Sequence, residues 1–350
     1  MIHIDDRSVV HFVSGKEAVL RLSDRLIAFS ERCGQSGSMH DLAYFLSKPG
    51  ALPRTAHLLL VGPADLNPEN PDLDDLVGSV LIFEQRVCGI RVGAFATNDR
   101  SGRSTLIALA KDRCRVAALT SRALLDRGAR LILMSFRASE QAESDAEIDP
   151  ALLGLAPNGK VAARWAQRER IIPGYLPLSN SVDGTLAAIG VRTRRNLRYY
   201  RRRAEAELGC VFLPRIDITR AEVLAFNRKC MYAVPAKVAG WRYDSLQGLK
   251  DPIFMGIKDR EGRWLSVLGG RRYLDRSEIL WQLNRDGLGA YSLGTVVRAY
   301  FIEHEIGQGS RRLYAEGGTP HSIRFSFVPE KLTDLILVRQ SGAARAMTSR

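Results

Sequence analysis

The feature that most restricts the fold is an order of elements written twice, on either side of an acidic stretch. In the first half the spacing predicts an amphipathic helix over 16–33, with Leu22, Leu26, Phe29 and Cys33 at i, i+4, i+7 and i+11. A short apolar helix over 41–46 stops before Pro49. Three strand-like runs follow, over 57–61, 77–83 and 87–95, the first two separated by a polar loop over 63–75. A turn at 98–104, a long helix over 105–127 with Gly128 as its stop, and a buried strand over 129–136 complete this half.

The second half restarts with a strand over 171–178, then helices over 183–189 and 192–208, the second ended by Gly209. A strand over 210–216 follows. Thr219 caps a helix over 220–232, with Glu222 where a capping box needs it. Strands over 252–257, 264–273 and 278–284 come next, with a hairpin turn at 259–262. A helix over 296–306 is closed by Gly307 and Gly309, and strands over 311–315 and 334–338 end the pattern. Segments 117–136 and 297–315 read alike: an Arg on a helix, an acidic residue, a Gly stop, Ala/Ser-Arg, then an apolar strand. This shared order, carried with little residue identity, suggests a tandem duplication. The stretch 138–157, with Glu140, Glu143, Asp145, Glu147 and Asp149, is the candidate linker. The expected domains are 1–140 and 170–350, joined by 141–169.

Charge separates the halves. Residues 1–150 hold 18 Lys/Arg and 20 Asp/Glu, net −2, whereas residues 151–350 hold 33 and 18, net +15. A basic second half attracts polyanions: a phosphate-rich cosubstrate, nucleic acid or an acidic membrane face. The five cysteines (Cys33, Cys88, Cys114, Cys210, Cys230) show no CxxC spacing and the six histidines are scattered, so they read as free thiols without a metal site. No signal peptide and no apolar run near 20 residues is present, and the expected location is the cytoplasm.

Three segments are able to carry chemistry. Residues 192–203 hold seven arginines and no acid, with Leu197, Tyr200, Ala204 and Leu208 on one face and Arg194, Arg195, Arg198, Arg201 and Arg202 on the other. This is either a phosphate-binding surface, with Arg195, Arg198 and Arg202 as its candidates, or a solvated face paired with acids elsewhere. Residues 287–295, Gly-Leu-Gly-Ala-Tyr-Ser-Leu-Gly-Thr, join a strand to a helix. They are either a cradle for a pyrophosphate at a helix N-terminus or a plain turn, since both the Walker pattern and GxGxxG are missing. Residues 316–322 place Glu316 and His321 beside two glycines after a strand, either as a general base or as solvated turn residues. No nucleophile-elbow, HExxH or EF-hand pattern occurs.

The arginine-rich run from Gly184 to Gly209 resembles the corresponding helix of the acetyltransferase-like family associated with cellulose synthesis. That family lies within the GNAT superfamily and is related to the Fem peptidyltransferases. Residues 266–273, 277–284, 291–295, 302–309 and 313–318 are similar to its succession of two strands, Tyr-Ser-x-Gly turn, helix and short strand, so the likeness covers about 170–330. The first half looks like a degenerate copy. Its Arg100-Ser101-Gly102-Arg103-Ser104 stands where the superfamily has its Gln/Arg-x-x-Gly-x-Gly/Ala loop.

The resemblance implies an α+β fold of tandem GNAT-like domains, each a mixed, mostly antiparallel sheet flanked by helices. It implies transfer of an acyl group from acetyl-CoA or another acyl-CoA to an amine or hydroxyl by direct attack. Tyr291, Ser292, Leu293, Gly294 and Thr295 match the turn that holds the cofactor, and Glu316 and His321 are the candidate bases after the fifth strand. Where the family often ends with an aromatic-lysine pair, this chain has Arg324-Phe325-Ser326-Phe327. The acceptor is expected to be a small molecule, a polysaccharide or a peptide. The alternatives are a Fem-like transferase charged by aminoacyl-tRNA, which the basic second half supports, and a non-catalytic GNAT-fold binding protein.

Overall fold

A computed structural model describes residues 8–35, 42–47, 54–97, 105–137, 163–249, 251–315 and 328–340. The elements are β1 (Val9–Ser14), α1 (Lys16–Arg21), α2 (Ser23–Arg32), α3 (Leu42–Ser47), β2 (Arg54–Gly62), β3 (Gly78–Val87), β4 (Ile90–Ala96), β5 (Leu106–Ala108), α4 (Arg113–Asp126) and β6 (Leu131–Arg137). They continue with β7 (Ala163–Pro177), α5 (Val182–Ala188), α6 (Val191–Leu208), β8 (Val211–Leu213), α7 (Arg220–Asn227), α8 (Ala236–Gln247), β9 (Pro252–Lys258), β10 (Trp264–Tyr273), β11 (Arg276–Asn284), α9 (Leu293–Gly307), β12 (Arg312–Ala315) and β13 (Val328–Arg339). Two compact units form: residues 1–42, 50–172 and 330–350, and residues 43–49 and 173–329.

The first unit's sheet runs β1-β2-β3-β4-β6-β13. Neighbours are antiparallel except β4 and β6, which run parallel with α4 as the crossover between them. Alternation puts Leu59 and Val61 of β2 and Val80 and Ile82 of β3 on one face, where Val116, Leu124 and Leu125 of α4 cover them. The second unit repeats this plan. β9, β10 and β11 are antiparallel, β11 and β12 are parallel with α9 as the crossover, and the end of β7 pairs antiparallel with β12. Val296, Val297, Phe301 and Ile302 of α9 pack on Met255, Ile257 and Leu268, with Leu197 and Ala204 of α6 in the same core. The chain is therefore an α+β protein of two units built on the same plan, each a mixed, mostly antiparallel sheet flanked by helices.

The structure corrects several element limits. The expected helix over 105–127 begins only at Arg113, because Leu106, Ile107 and Ala108 are fully buried and pair with β3 as β5. An apolar run of that length fits either periodicity, and tertiary pairing decides it. The helix over 16–33 breaks at Leu22 into α1 and α2. The helix over 220–232 stops at Asn227, although its capping box between Thr219 and Glu222 is present. β1 and α8 were not anticipated, and β8 is shorter than expected. β7 starts at Ala163, eight residues before the expected strand. β13 pairs with β6 from Leu332↔Arg137 to Val338↔Leu131, so the strand expected over 334–338 completes the first unit's sheet. The acidic stretch 138–157 lies outside the described residues.

Candidate functional site

The second unit builds a candidate site beyond the last described pair of β11 with its parallel partner β12. β11 pairs with β12 from Arg276↔Arg312 to Ile279↔Ala315. It then continues five residues to Asn284, still paired with Ser266 of β10. The chain leaves β11 through Gly287 (φ 76°), makes a 3₁₀ turn over Gly289–Tyr291, passes Ser292 in the left-handed region (φ 47°), and enters α9.

This turn is held from two sides. On one side the Met231 amide donates to the Asn284 carbonyl at 3.1 Å, and the Asp286 amide to the Lys229 carbonyl at 2.9 Å. On the other side α6 reaches over: Arg203 Nη1 donates to the Ala290 carbonyl at 3.2 Å, and its guanidinium lies 4.9 Å from the Tyr291 ring centroid. The Tyr291 hydroxyl donates to Glu207 at 2.9 Å, which raises the pKa of the phenol. The Ser292 carbonyl accepts from the amides of Thr295 (2.7 Å) and Val296 (3.2 Å). The amides of Leu293 and Gly294 have no backbone acceptor among the described residues. No acid stands in the first turn of α9. A helix start with unspent N–H groups and no negative side chain attracts an anion. Leu293 itself is buried in the core, and the hydroxyls of Ser292 and Thr295 lie 2.8 Å apart.

Beneath the turn lies a polar chain that the sequence reading did not single out. Ser266 Oγ donates to Asn284 Oδ1 at 2.8 Å, Gln282 Nε2 donates to the same oxygen at 2.7 Å, and Arg298 Nε donates to Gln282 Oε1 at 3.2 Å. Gly294 sits directly above: a Cβ there would lie 3.1 Å from Gln282 Nε2 and 3.3 Å from Asn284 Nδ2. The available signal was the i, i+2 pair Gln282/Asn284 on one strand face and a lone arginine within the apolar helical run 296–302.

The arginines of α6 divide into two groups. Arg195, Arg198 and Arg202, at i, i+3 and i+7, form one exposed row. Within it Arg198 pairs with Asp183 at 3.1 Å and Arg202 Nε donates to the Arg198 carbonyl at 3.2 Å. No acid lies within ion-pair distance of Arg192, Arg194 or Arg195 among the described residues. Arg201 was expected on the phosphate-facing side, but it turns inward, bonding Glu205 (2.9 Å) and Glu303 and lying 4.2 Å from the Tyr300 ring centroid. Arg203 pairs with Glu207 at 3.0 Å. Acids from outside the run 192–203 thus neutralise part of it.

Glu316, His321 and the segments 100–104 and 324–327 lie outside the described residues. All five cysteines are free thiols, and burial pushes Cys33 up to about 11 and Cys230 up to about 12. Among the described residues no cluster of His, Cys, Asp and Glu is arranged to hold a metal ion, and no helix is long and apolar enough to cross a membrane.

No family model matches this chain, and no curated protein sequence does. Solved structures do. FemX is 10% identical over 89% of this chain and 95% of its own, with a TM-score of 0.54. A conserved protein of unknown function from Bacteroides thetaiotaomicron is 11% identical over 91% and 97%, with a TM-score of 0.50. A tandem GNAT protein from the clavulanic acid biosynthesis pathway is 12% identical over 94% and 98%, with a TM-score of 0.46. At these identities the first two likenesses are of fold alone.

Proposed function

We propose that this protein is an acyltransferase that takes its acyl group from a coenzyme A thioester held by the second unit. The observation that carries the reading is the start of α9: a glycine-bearing, acid-free turn, clamped by α6 and by the Met231 segment, with the Leu293 and Gly294 amides unspent. In this reading the pyrophosphate rests on those amides within Tyr291–Thr295, and the pantetheine runs beside β11 beyond its last described pair with β12. The resemblance to the cellulose-synthesis-associated acetyltransferase-like family supports the same assignment. Direct attack by an acceptor amine or hydroxyl then needs positioning and removal of one proton, and Glu316 or His321 is the candidate base. The first half, 1–140, is the degenerate copy. Its helix α4 starts after Leu109-Ala110-Lys111-Asp112, without glycine and with Asp112 at the cap, which repels a phosphate.

Calorimetric titration with acetyl-CoA tests the reading, with wild type and Gly294→Trp side by side. Binding by wild type that the variant loses is the expected result. Absence of binding by both at millimolar ligand removes the acyl-CoA reading.

A second reading, transfer from an aminoacyl-tRNA, is favoured by the exposed row Arg195, Arg198 and Arg202 and by the surplus of +15 in residues 151–350. Its signature is tRNA binding that weakens steeply with salt.

A further inference from the structure

The second unit pairs its withdrawn arginines with carboxylates. Arg271 meets Glu278 at 3.0 Å, Arg272 meets Glu305 at 2.7 Å, Arg201 meets Glu205 at 2.9 Å, and Arg312 meets Asp275 at 3.0 Å. Arg298 departs from this. It is half-buried, and burial lowers its pKa. Yet no carboxylate lies within ion-pair distance, and its one bond is Nε to Gln282, among the described residues. A charge withdrawn from water is ordinarily paired, because desolvating it without an opposite charge is costly. That cost persists in a fold when a ligand supplies the missing charge.

The surroundings fix the direction in which the guanidinium is available. Ser266 and Gln282 both donate to Asn284 Oδ1, so the Gln282 amide presents its oxygen to Arg298 and pins Nε. Pinning Nε leaves the terminal pair Nη1/Nη2, two parallel donors with no partner among the described residues. This edge matches the two oxygens of a carboxylate. Gln282 lies three residues past the last described β11–β12 pair. Arg298 is four residues into α9 from Gly294, about 6 Å further along the helix than the phosphate cradle at 1.5 Å per residue. One half-buried guanidinium balances one negative charge, which suits a carboxylate better than a phosphate dianion.

We propose that Arg298, oriented by Gln282, Asn284 and Ser266, anchors a carboxylate on one of the two substrates of this site. The carboxylate arrives either on the donor, as a dicarboxylic acyl group such as succinyl, or on the acceptor, as an amino acid. The proposal rests on the acyl-CoA reading for the donor arm only.

The test titrates wild type, Arg298→Met and Arg298→Lys with succinyl-CoA against acetyl-CoA, and with the common amino acids each against its amide. In wild type, one carboxylate-bearing member is expected to bind at least tenfold tighter than its neutral counterpart. Arg298→Met reduces that preference below threefold, Arg298→Lys keeps part of it, and binding of acetyl-CoA is unchanged. Preference in the thioester pair assigns the donor, and preference in an amino-acid pair assigns the acceptor. Thioester binding with no preference in any pair overturns the proposal and leaves the acyl-CoA reading standing. Absence of all thioester binding removes that reading, and the amino-acid pairs still decide the role of Arg298. A thermal melt of the ligand-free proteins gives an independent readout. A ligand-binding arginine predicts that Arg298→Met melts at or above the wild-type temperature. A merely structural arginine predicts a lower melt, which counts against the proposal.

Discussion

Arg272 and Glu305 form a two-point ion pair that fastens α9 to β10, with Nε donating to Oε2 at 3.0 Å and Nη2 to Oε1 at 2.7 Å. Glu305 is fully buried, and Ser310 Oγ donates to its Oε2 at 2.9 Å. The pair sits near the C-terminal end of α9, opposite the end that carries the candidate cradle. It therefore fixes the helix whose other end forms the proposed cradle.

Removing Glu305 leaves the partly buried Arg272 with only the more distant Asp251 carboxylate, at 3.6 Å, to balance its charge. Glu305→Ala is expected to cost about 3–5 kcal/mol in urea unfolding. The double variant Arg272→Met/Glu305→Leu removes both charges and is expected to cost less than Glu305→Ala alone. A double variant at least as damaged as the single one would show that packing volume, and not the poorly balanced charge, sets the loss.

The β10–β11 register shifts between Gly269 and Gly270, and a Cβ on Gly270 would lie 2.1 Å from the Glu278 carbonyl oxygen. The three nearest atoms are all backbone of β11, so no flexible group is there to yield. Gly270→Ala is expected to destabilise by about 2–3 kcal/mol, near the upper end of ordinary overpacking. Gly248, which caps α8 with open space around its Cβ position, gives the contrast: Gly248→Ala should stay within about 0.5 kcal/mol of wild type. Equal effects at the two positions would contradict the close approach.

The sequence made the repeat legible because its signals were local: the Thr219–Glu222 capping box, the turn at 259–262, and the glycines that end α6 and follow α9 all stand where the residues indicate. What it hid was set by distant partners. Leu106–Ala108 becomes a strand only because β3 offers an edge, and the partner of the last strand is β6, about two hundred residues earlier in the chain. At the site, the turn 291–295 was readable from its glycines and its place between strand and helix. The polar chain Ser266–Asn284–Gln282–Arg298 was not, since it joins residues on three elements with no motif among them. The arginine run misled in part for the same reason. Its neutralising acids, Asp183 and Glu303, lie elsewhere in sequence.

That division of the α6 arginines gives a separation of effects. Arg195→Glu and Arg202→Glu alter exposed side chains and should leave the urea midpoint unchanged. Arg201→Ala loses the bonds to Glu205 and Glu303 and the contact with the Tyr300 ring, and is expected to cost about 1–2 kcal/mol. Arg203→Ala frees the Ala290 carbonyl and should weaken acetyl-CoA binding more than it lowers the melting temperature. If tRNA is the donor the order reverses, and Arg195→Glu/Arg202→Glu lowers affinity and the salt slope.

His57 of β2 gives the first unit a pH dependence whose sign follows from its surroundings. The ring is buried, with Nδ1 2.8 Å from Ser14 Oγ and Nε2 3.5 Å from Glu84 Oε2. Burial dominates and lowers its pKa below 6.5. Glu84 opposes the shift, while Arg91 and Arg127 add to it. The native histidine therefore takes up its proton at lower pH than the unfolded one. Stability from this residue is complete above about pH 6.5, and it declines as the pH falls from there towards the native pKa. The slope for one group cannot exceed about 1.4 kcal/mol per pH unit. Urea midpoints of wild type and His57→Gln, measured from pH 7.5 to 5, should differ in slope below pH 6.5, with the variant flatter. The comparison cancels the other histidines. Parallel slopes would mean that Glu84 holds the imidazolium well enough to offset its burial.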